Sequence, residues 1–242
     1  MNWYDNAIIY HIYPLGFCGA PKFNDGGETV YRLEKVLEWI PHLKEMNIDA
    51  VYFGPVFESV EHGYDTTDYK KIDRRLGDND SFRNICDKLH EAGIRIILDG
   101  VFNHVGRNFP QFVDIQQNGQ NSGYCDWFQN LNFGGQSPCG DPFWYEGWNG
   151  HYNLVKLNLR NVGVCDHLID AINYWIEEFK IDGVIDIALQ SCHPFNVESN
   201  RIKEFVVNDK KIHYMAIETD YSQSDTEQLR TRFEAFIEMI ES

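Results

Sequence analysis

The run Ile94-Arg95-Ile96-Ile97-Leu98 constrains the fold more than any other stretch of the chain. It follows Gly93, is rich in isoleucine and does not alternate regularly, the pattern of a strand buried on both faces. Such strands belong to parallel sheets covered by helices, so the chain reads as α/β. The strand closes on Asp99-Gly100-Val101-Phe102-Asn103-His104, which supplies an acid, an amide and an imidazole. In barrels and open α/β sheets, ligands sit at the carboxyl ends of the strands, and this segment is the first candidate site. An Asp and an Asn after a strand also serve turn hydrogen bonds, and the residues alone leave both readings open.

The rest of the chain repeats the strand-helix pattern. Ala7–Tyr13 is a first strand, and Thr29–Met46 is an amphipathic helix with Leu33, Val36, Leu37, Ile40 and Leu43 at helical spacing. Ala50–Phe53 is strand two. Ser81 is read as the cap of a helix with Phe82, Ile85 and Leu89 on its buried stripe, ended by Gly93. Two strand-helix-strand units in succession require right-handed crossovers and a parallel sheet. Residues 105–160 then exceed an ordinary βα connection. They are rich in glycine and carry Tyr124, Trp127, Phe128, Phe133, Trp144, Tyr145, Trp148 and Tyr152, a density that predicts a small subdomain with its own aromatic core. Asp166–Phe179 is a helix, Val184–Ala188 strand four, Ser199–Val207 a short helix and Ile212–Ile217 strand five. Ser224-Asp225-Thr226-Glu227 is a capping box for a final helix. A closed barrel needs eight strands, so five units make an open sheet or part of a barrel.

Composition narrows the ligand. Lys and Arg total 21 against 37 Asp and Glu, a net charge of −16 that argues against nucleic acid and anionic membrane as partners. Neutral ligands remain, and an aromatic content of 14% suits stacking on flat apolar faces such as those of sugar rings. The start of the chain lacks a basic segment followed by an apolar run, and no apolar stretch reaches the ~18 residues of a membrane span, so a cytoplasmic protein is expected. The cysteines show no CxxC pairing, and reduced thiols are expected rather than a zinc site or a disulfide framework.

Residues 1 to about 181 resemble the catalytic barrel of the α-amylase family, glycoside hydrolase family 13. The resemblance rests on Tyr10-His11-Ile12-Tyr13-Pro14, Gly54-Pro55-Val56-Phe57, His62-Gly63-Tyr64-Asp65-Thr66-Thr67-Asp68-Tyr69 and the Asp99–His104 segment. Leu154-Val155-Lys156-Leu157-Asn158 is similar to a segment late in the family's domain B, which would make residues 105–160 that domain, inserted into a half-barrel of residues 1–104 and 161–181. The resemblance implies that Tyr64 and Asp65 line the sugar subsite before the scissile bond and that His104 hydrogen-bonds the same sugar. It further implies that Asp99 is a structural acid and Asn103 a candidate calcium ligand, calcium being the one cofactor it brings into view.

Retaining hydrolysis needs a nucleophilic carboxylate and an acid/base carboxyl about 5 Å apart. In the family the nucleophile ends strand four, two residues after an Arg, and the acid/base Glu ends strand five. Here strand four reads Gly183-Val184-Ile185-Asp186, with the Arg absent and the Asp one position early; Glu218 ends strand five. A one-residue shift moves a strand side chain to the opposite face. Asp186 and Glu218 are therefore the candidate catalytic pair, with a displaced nucleophile. Residues 182–242 resemble the carboxyl-terminal part of the 2-hydroxyacyl-CoA dehydratase and benzoyl-CoA reductase family, through Cys192-His193-Pro194-Phe195-Asn196-Val197-Glu198 and Glu218-Thr219-Asp220-Tyr221-Ser222. That resemblance makes Cys192 a candidate iron-sulfur ligand, although a lone cysteine reads as a free thiol.

The expected architecture is thus a parallel sheet of about five βα units: half a TIM barrel with a domain-B insertion after strand three, continued by a flavodoxin-like βαβα segment in a chimeric chain. The expected function is an α-amylase-type glycoside hydrolase fragment with an incomplete carboxylate set that binds α-glucan oligosaccharides. An active retaining hydrolase using Asp186 and Glu218, and an iron-sulfur dehydratase fragment, are the alternatives. Uncovered sheet edges lead to an expectation of self-association.

Overall fold

The computed structural model describes residues 7–189 and 213–219; for 185–189 and 213–219 the description is of the backbone. In chain order the elements are β1 (Ile9–Ile12), α1 (Pro14–Phe17), α2 (Lys35–Glu45), β2 (Ala50–Phe53), β3 (Phe57–Ser59), β4 (Thr66–Ile72), α3 (Asn79–Glu91) and β5 (Arg95–Asp99). Then follow β6 (His104–Gly106), α4 (Pro110–Asn118), β7 (Gly147–Trp148), β8 (His151–Lys156), α5 (Val162–Phe179), β9 (Gly183–Leu189) and β10 (His213–Thr219). Cys192, the helix expected over 199–207 and the final helix after Ser224 lie outside the described residues.

The main sheet has the order β1-β2-β5-β9-β10 and is parallel throughout. Each strand lies beside the one that precedes it in this sheet. That is the connectivity of a barrel wall, whereas a doubly wound sheet reverses its order at a switch point. Among the described residues there is no such reversal, and the flavodoxin-like continuation expected after residue 182 finds no support in the strand order. No described helix is long and apolar enough to cross a membrane.

Most of the elements sit where the apolar spacing put them. Phe82, Ile85 and Leu89 of α3 are buried, as are Leu168, Ile172 and Trp175 of α5. Two helix starts differ because capping decides them. Asp78 caps α3, its carboxylate accepting the Ser81 N–H at 2.8 Å while the Asp78 N–H donates to Ser81 Oγ at 2.9 Å. Ser81 is the far corner of this capping box, not the cap. Asn161 caps α5 through the Val164 N–H, so that helix begins at Val162, before the residue expected.

Two small sheets replace what read as loop. β3 and β4 pair antiparallel with register shifts at both steps, and the buried residues of β4 are Thr66, Tyr69 and Ile72. A three-residue spacing hides a strand from a search for alternation. Inside the insertion, β6, β8 and β7 form a three-stranded antiparallel sheet around Phe128, Phe143 and Tyr145. These rings are buried as expected but continue the hydrophobic core of the main sheet instead of forming a separate one, and Trp144 and Trp148 are left partly uncovered.

Trp175 joins the layers. It is fully buried, stacked between Phe57 at 4.5 Å and Phe102 at 5.8 Å, and its Nε1 donates to the Tyr69 carbonyl at 2.6 Å. The Tyr69 hydroxyl in turn donates to the Val101 carbonyl at 2.5 Å. One indole thus fixes α5, the β3–β4 hairpin and the loop after β5 against one another. Behind the hairpin, Asp73 and Arg75 form a buried ion pair with Nε–Oδ1 at 2.9 Å and Nη2–Oδ2 at 2.6 Å. The remaining guanidinium donors reach the carbonyls of Pro21, Lys22 and Glu61 and the Ser59 hydroxyl. Every part of the charge has a partner, the condition under which such a pair is tolerated.

Trp175→Ala is expected to cost about 3–5 kcal/mol, the range for deleting a large buried aromatic. Asp73→Asn is expected to cost about as much, because it strands a buried guanidinium without its counter-charge. Chemical denaturation of each variant beside the parent chain measures both losses.

Candidate functional site

Paired residues of neighbouring parallel strands share a face, and alternate residues along each strand face opposite ways. Ile12, Val51, Phe53, Ile96 and Leu98 belong to the hydrophobic core, so they define the helix-covered face. His11 pairs with Tyr52 and Tyr52 with Ile97; Asp99, two residues on, lies on this second face. The His11 and Tyr52 rings stack at 4.7 Å. His11, Tyr52 and Asp99 therefore share the second face with Ile97, and Asp99 stands at the carboxyl edge of β5.

Asp99 is 4% exposed and its Oδ2 has no hydrogen-bond partner. Burial pushes its pKa up to about 7, and the hydroxyls of Tyr52 and Tyr64 beside the carboxyl pull in the opposite direction. The chain then turns sharply. A side chain at Gly100 would come within 2.4 Å of the Phe102 ring, so glycine is what lets Phe102 fold under the turn onto Trp175.

His104 opens β6, pairs with Lys156 and is 6% exposed. Its Nδ1 lies 3.2 Å from the Asn103 amide nitrogen, and its buried Nε2 has no partner. With Nδ1 accepting from the amide as oriented, the imidazole proton resides on Nε2. Burial first, and then the field of His62, hold its pKa down at about 3, against the pull of the Tyr64 main chain. The ring packs at 5.4 Å on Trp148, which β7 carries in from the insertion.

Tyr64 is 36% exposed and meets both groups, Asp99 through its hydroxyl and His104 through its main chain. Asp65, expected to face the same ligand, is bound into the turn that carries Tyr64. It is 5% exposed, Oδ2 accepts the Glu61 N–H at 2.7 Å and Oδ1 the His62 N–H at 3.2 Å, so its carboxylate closes the turn that presents Tyr64. Gly106 admits this turn, since a Cβ there would lie 2.4 Å from the Asp65 carbonyl.

The structure thus brings Tyr64, Asp65, Asp99, Asn103 and His104 together at one edge. Asp186 and Glu218 stand elsewhere in the alternation. Asp99 pairs with Ile185, which leaves position 186 in the opposite phase, and the pairs Asp186–Ala216 and Ala188–Glu218 put 186 and 218 in phase with each other. Asn103 points its amide nitrogen at an imidazole, and among the described residues no group of three or more His, Cys, Asp or Glu could hold a metal. Tyr52 and His62 were missed by reading motifs; the parity of Tyr52 with Asp99 in a parallel register was the available signal.

Residues 12–235 match the α-amylase catalytic domain. A cyclomaltodextrinase from a Bacillus species is 37% identical over 216 residues, covering 83% of this chain and 38% of that protein. A maltogenic α-amylase from Bacillus acidopullulyticus is 34% identical, covering 83% and 36%. Among solved structures, the cyclic α-maltosyl-(1→6)-maltose hydrolase from Arthrobacter globiformis superposes with a TM-score of 0.74 at 27% identity, covering 88% of this chain and 51% of that one. The chain spans less than two-fifths of the length of the two enzymes it matches by sequence. The catalytic-domain match continues through residue 182 to 235, so the change to a dehydratase-like segment expected there has no support. A single family accounts for the half-sheet, the insertion and the strands that follow: this chain belongs to the α-amylase catalytic-domain family.

Proposed function

We propose that this chain carries the sugar-binding half of an α-glucan hydrolase site, at the edge formed by Tyr64, Asp99, His104 and Trp148. The observation that carries the reading is the pair of orphaned buried atoms, Asp99 Oδ2 and His104 Nε2. One is an acceptor and the other, as assigned, a donor. A sugar hydroxyl both donates and accepts, so hydroxyls of a pyranose satisfy both. Trp148 and Tyr64 supply faces on which the apolar side of the ring stacks. The uncharged His104 suits a neutral ligand. The cyclomaltodextrinase and maltogenic amylase among the relatives support an α-glucan as that ligand.

Asp65 supports the site from behind as the brace of the Tyr64 turn. The phase of positions 186 and 218 relative to Asp99 favours binding without turnover by this chain. The competing reading, a retaining hydrolase using Asp186 and Glu218, draws on their common phase on neighbouring strands. Release of nitrophenol from a nitrophenyl maltooligosaccharide, abolished by Glu218→Gln, would establish that second reading and remove the first.

Calorimetric titration with maltotriose and maltopentaose is expected to show binding. His104→Ala, which leaves its sugar hydroxyl unpaired, should weaken it about tenfold, and Trp148→Ala about three- to tenfold. Absence of heat from the parent chain would sink the proposal.

Stability should also respond to pH through the two buried groups. The folded pKa of Asp99, about 7, lies above its unfolded value of about 3.9, so the protonated native form is favoured and stability falls as pH rises from about 4 to 7. His104 has the opposite sign. Its folded pKa of about 3 lies below an unfolded value of about 6.5, so stability falls as pH drops from about 6.5 to 3. In melting curves across this range, Asp99→Asn should remove the loss on the alkaline side and leave the acid-side loss in place.

A further inference from the structure

We propose that His62 is a positioning residue for Tyr64, acting as the acceptor of an Asx-type turn that sets the aromatic residue in the site. The inference rests on the sugar-binding reading above for its functional consequence. The His62 Nδ1 accepts the Tyr64 N–H at 3.2 Å, a side chain bonding the main chain two residues on. This is the bond Asn and Asp make in turns, and here an imidazole makes it. Nδ1 accepts this bond through its ring lone pair, and the same atom lies 3.6 Å from Asp65 Oδ1.

The remainder of the turn is held around that bond. The Tyr13 hydroxyl donates to the His62 carbonyl at 2.9 Å, tying the turn to the end of β1. The Glu61 and His62 N–H groups donate to Asp65, and the Glu61 carbonyl accepts from the buried Arg75 at 2.7 Å. Gly63 takes φ +92°, a region that only glycine enters freely, and brings Tyr64 back over the His62 ring. The Tyr64 peptide is held on both sides: its Gly63 carbonyl accepts from the Thr66 hydroxyl at 3.4 Å, and its N–H donates to Nδ1. From that peptide the hydroxyl goes to Asp99 and the main chain to His104. The His62 bond therefore fixes the N–H side of the peptide from which Tyr64 meets Asp99 and His104.

The side chain of His62 is 46% exposed, so substitutions there leave the fold standing. Asn places Oδ1 where Nδ1 was, Gln places its oxygen at the position of Nε2, and Ala supplies no acceptor. Titration with maltopentaose should give His62→Asn an affinity within about twofold of the parent, with His62→Ala and His62→Gln both weakened about tenfold. The Tyr64 amide, followed by hydrogen exchange in the unliganded protein, should be protected in the parent and in His62→Asn and exchange about tenfold faster in the other two. Loss of affinity in all three variants would mean that the imidazole itself contacts the ligand, and equal amide protection in all four proteins would remove the positioning role. If the parent binds no glucan, the sugar reading fails while the exchange pattern still decides the role of His62.

Discussion

The site is built on the buried Asp73–Arg75 pair. Taking two charges out of water costs several kcal/mol for each ion, and their attraction repays this only when the remaining donors and lone pairs are also satisfied. Here they are, by Ser59 and by the carbonyls of Pro21, Lys22 and Glu61. The pair thereby anchors two further segments, residues 21–22 and the end of β3 with the turn after it. Glu61 is its outlet toward the ligand, since the residue that accepts from Arg75 also donates to Asp65 in the turn that carries Tyr64.

The second anchor is apolar. Trp175 holds the loop after β5 through Phe102, and the β3–β4 hairpin through Phe57 and Tyr69. These two supports hold the β3–β4 hairpin and the loop after β5 together, and Trp148 of the insertion packs on His104 at that edge. Between them, burial alters charge. Burial raises the Asp99 carboxyl to about 7 and lowers the His104 imidazole to about 3, so His104 is neutral at neutral pH.

Much of this was legible in the residues. The isoleucine-rich strand, the helix stripes of Phe82, Ile85 and Leu89, and the strand-end cluster from Asp99 to His104 all follow from spacing and from where α/β folds put their ligands. The β3–β4 hairpin was not legible, because its register shifts break the alternation that marks a strand. Asp65 read as a ligand-facing acid, and the structure adds that its oxygens brace a turn by accepting two main-chain N–H groups, a task the sequence does not reveal. The dehydratase-like reading of the last sixty or so residues came from local resemblance, and a family match running across the junction outweighs it.

By itself the sequence determined the class of sheet, the faces of its helices and the place of the polar cluster, since these depend on the period of apolar residues and on chain connectivity. Tertiary structure decided which polar atoms remain unpaired. Asp65 and Asp99 are both buried carboxylates near one edge, yet two main-chain N–H groups occupy the oxygens of the first and none reaches Oδ2 of the second. That distinction arises only when separate loops converge, because a hydrogen bond is set by distance and direction in space and no local pattern of residues encodes it.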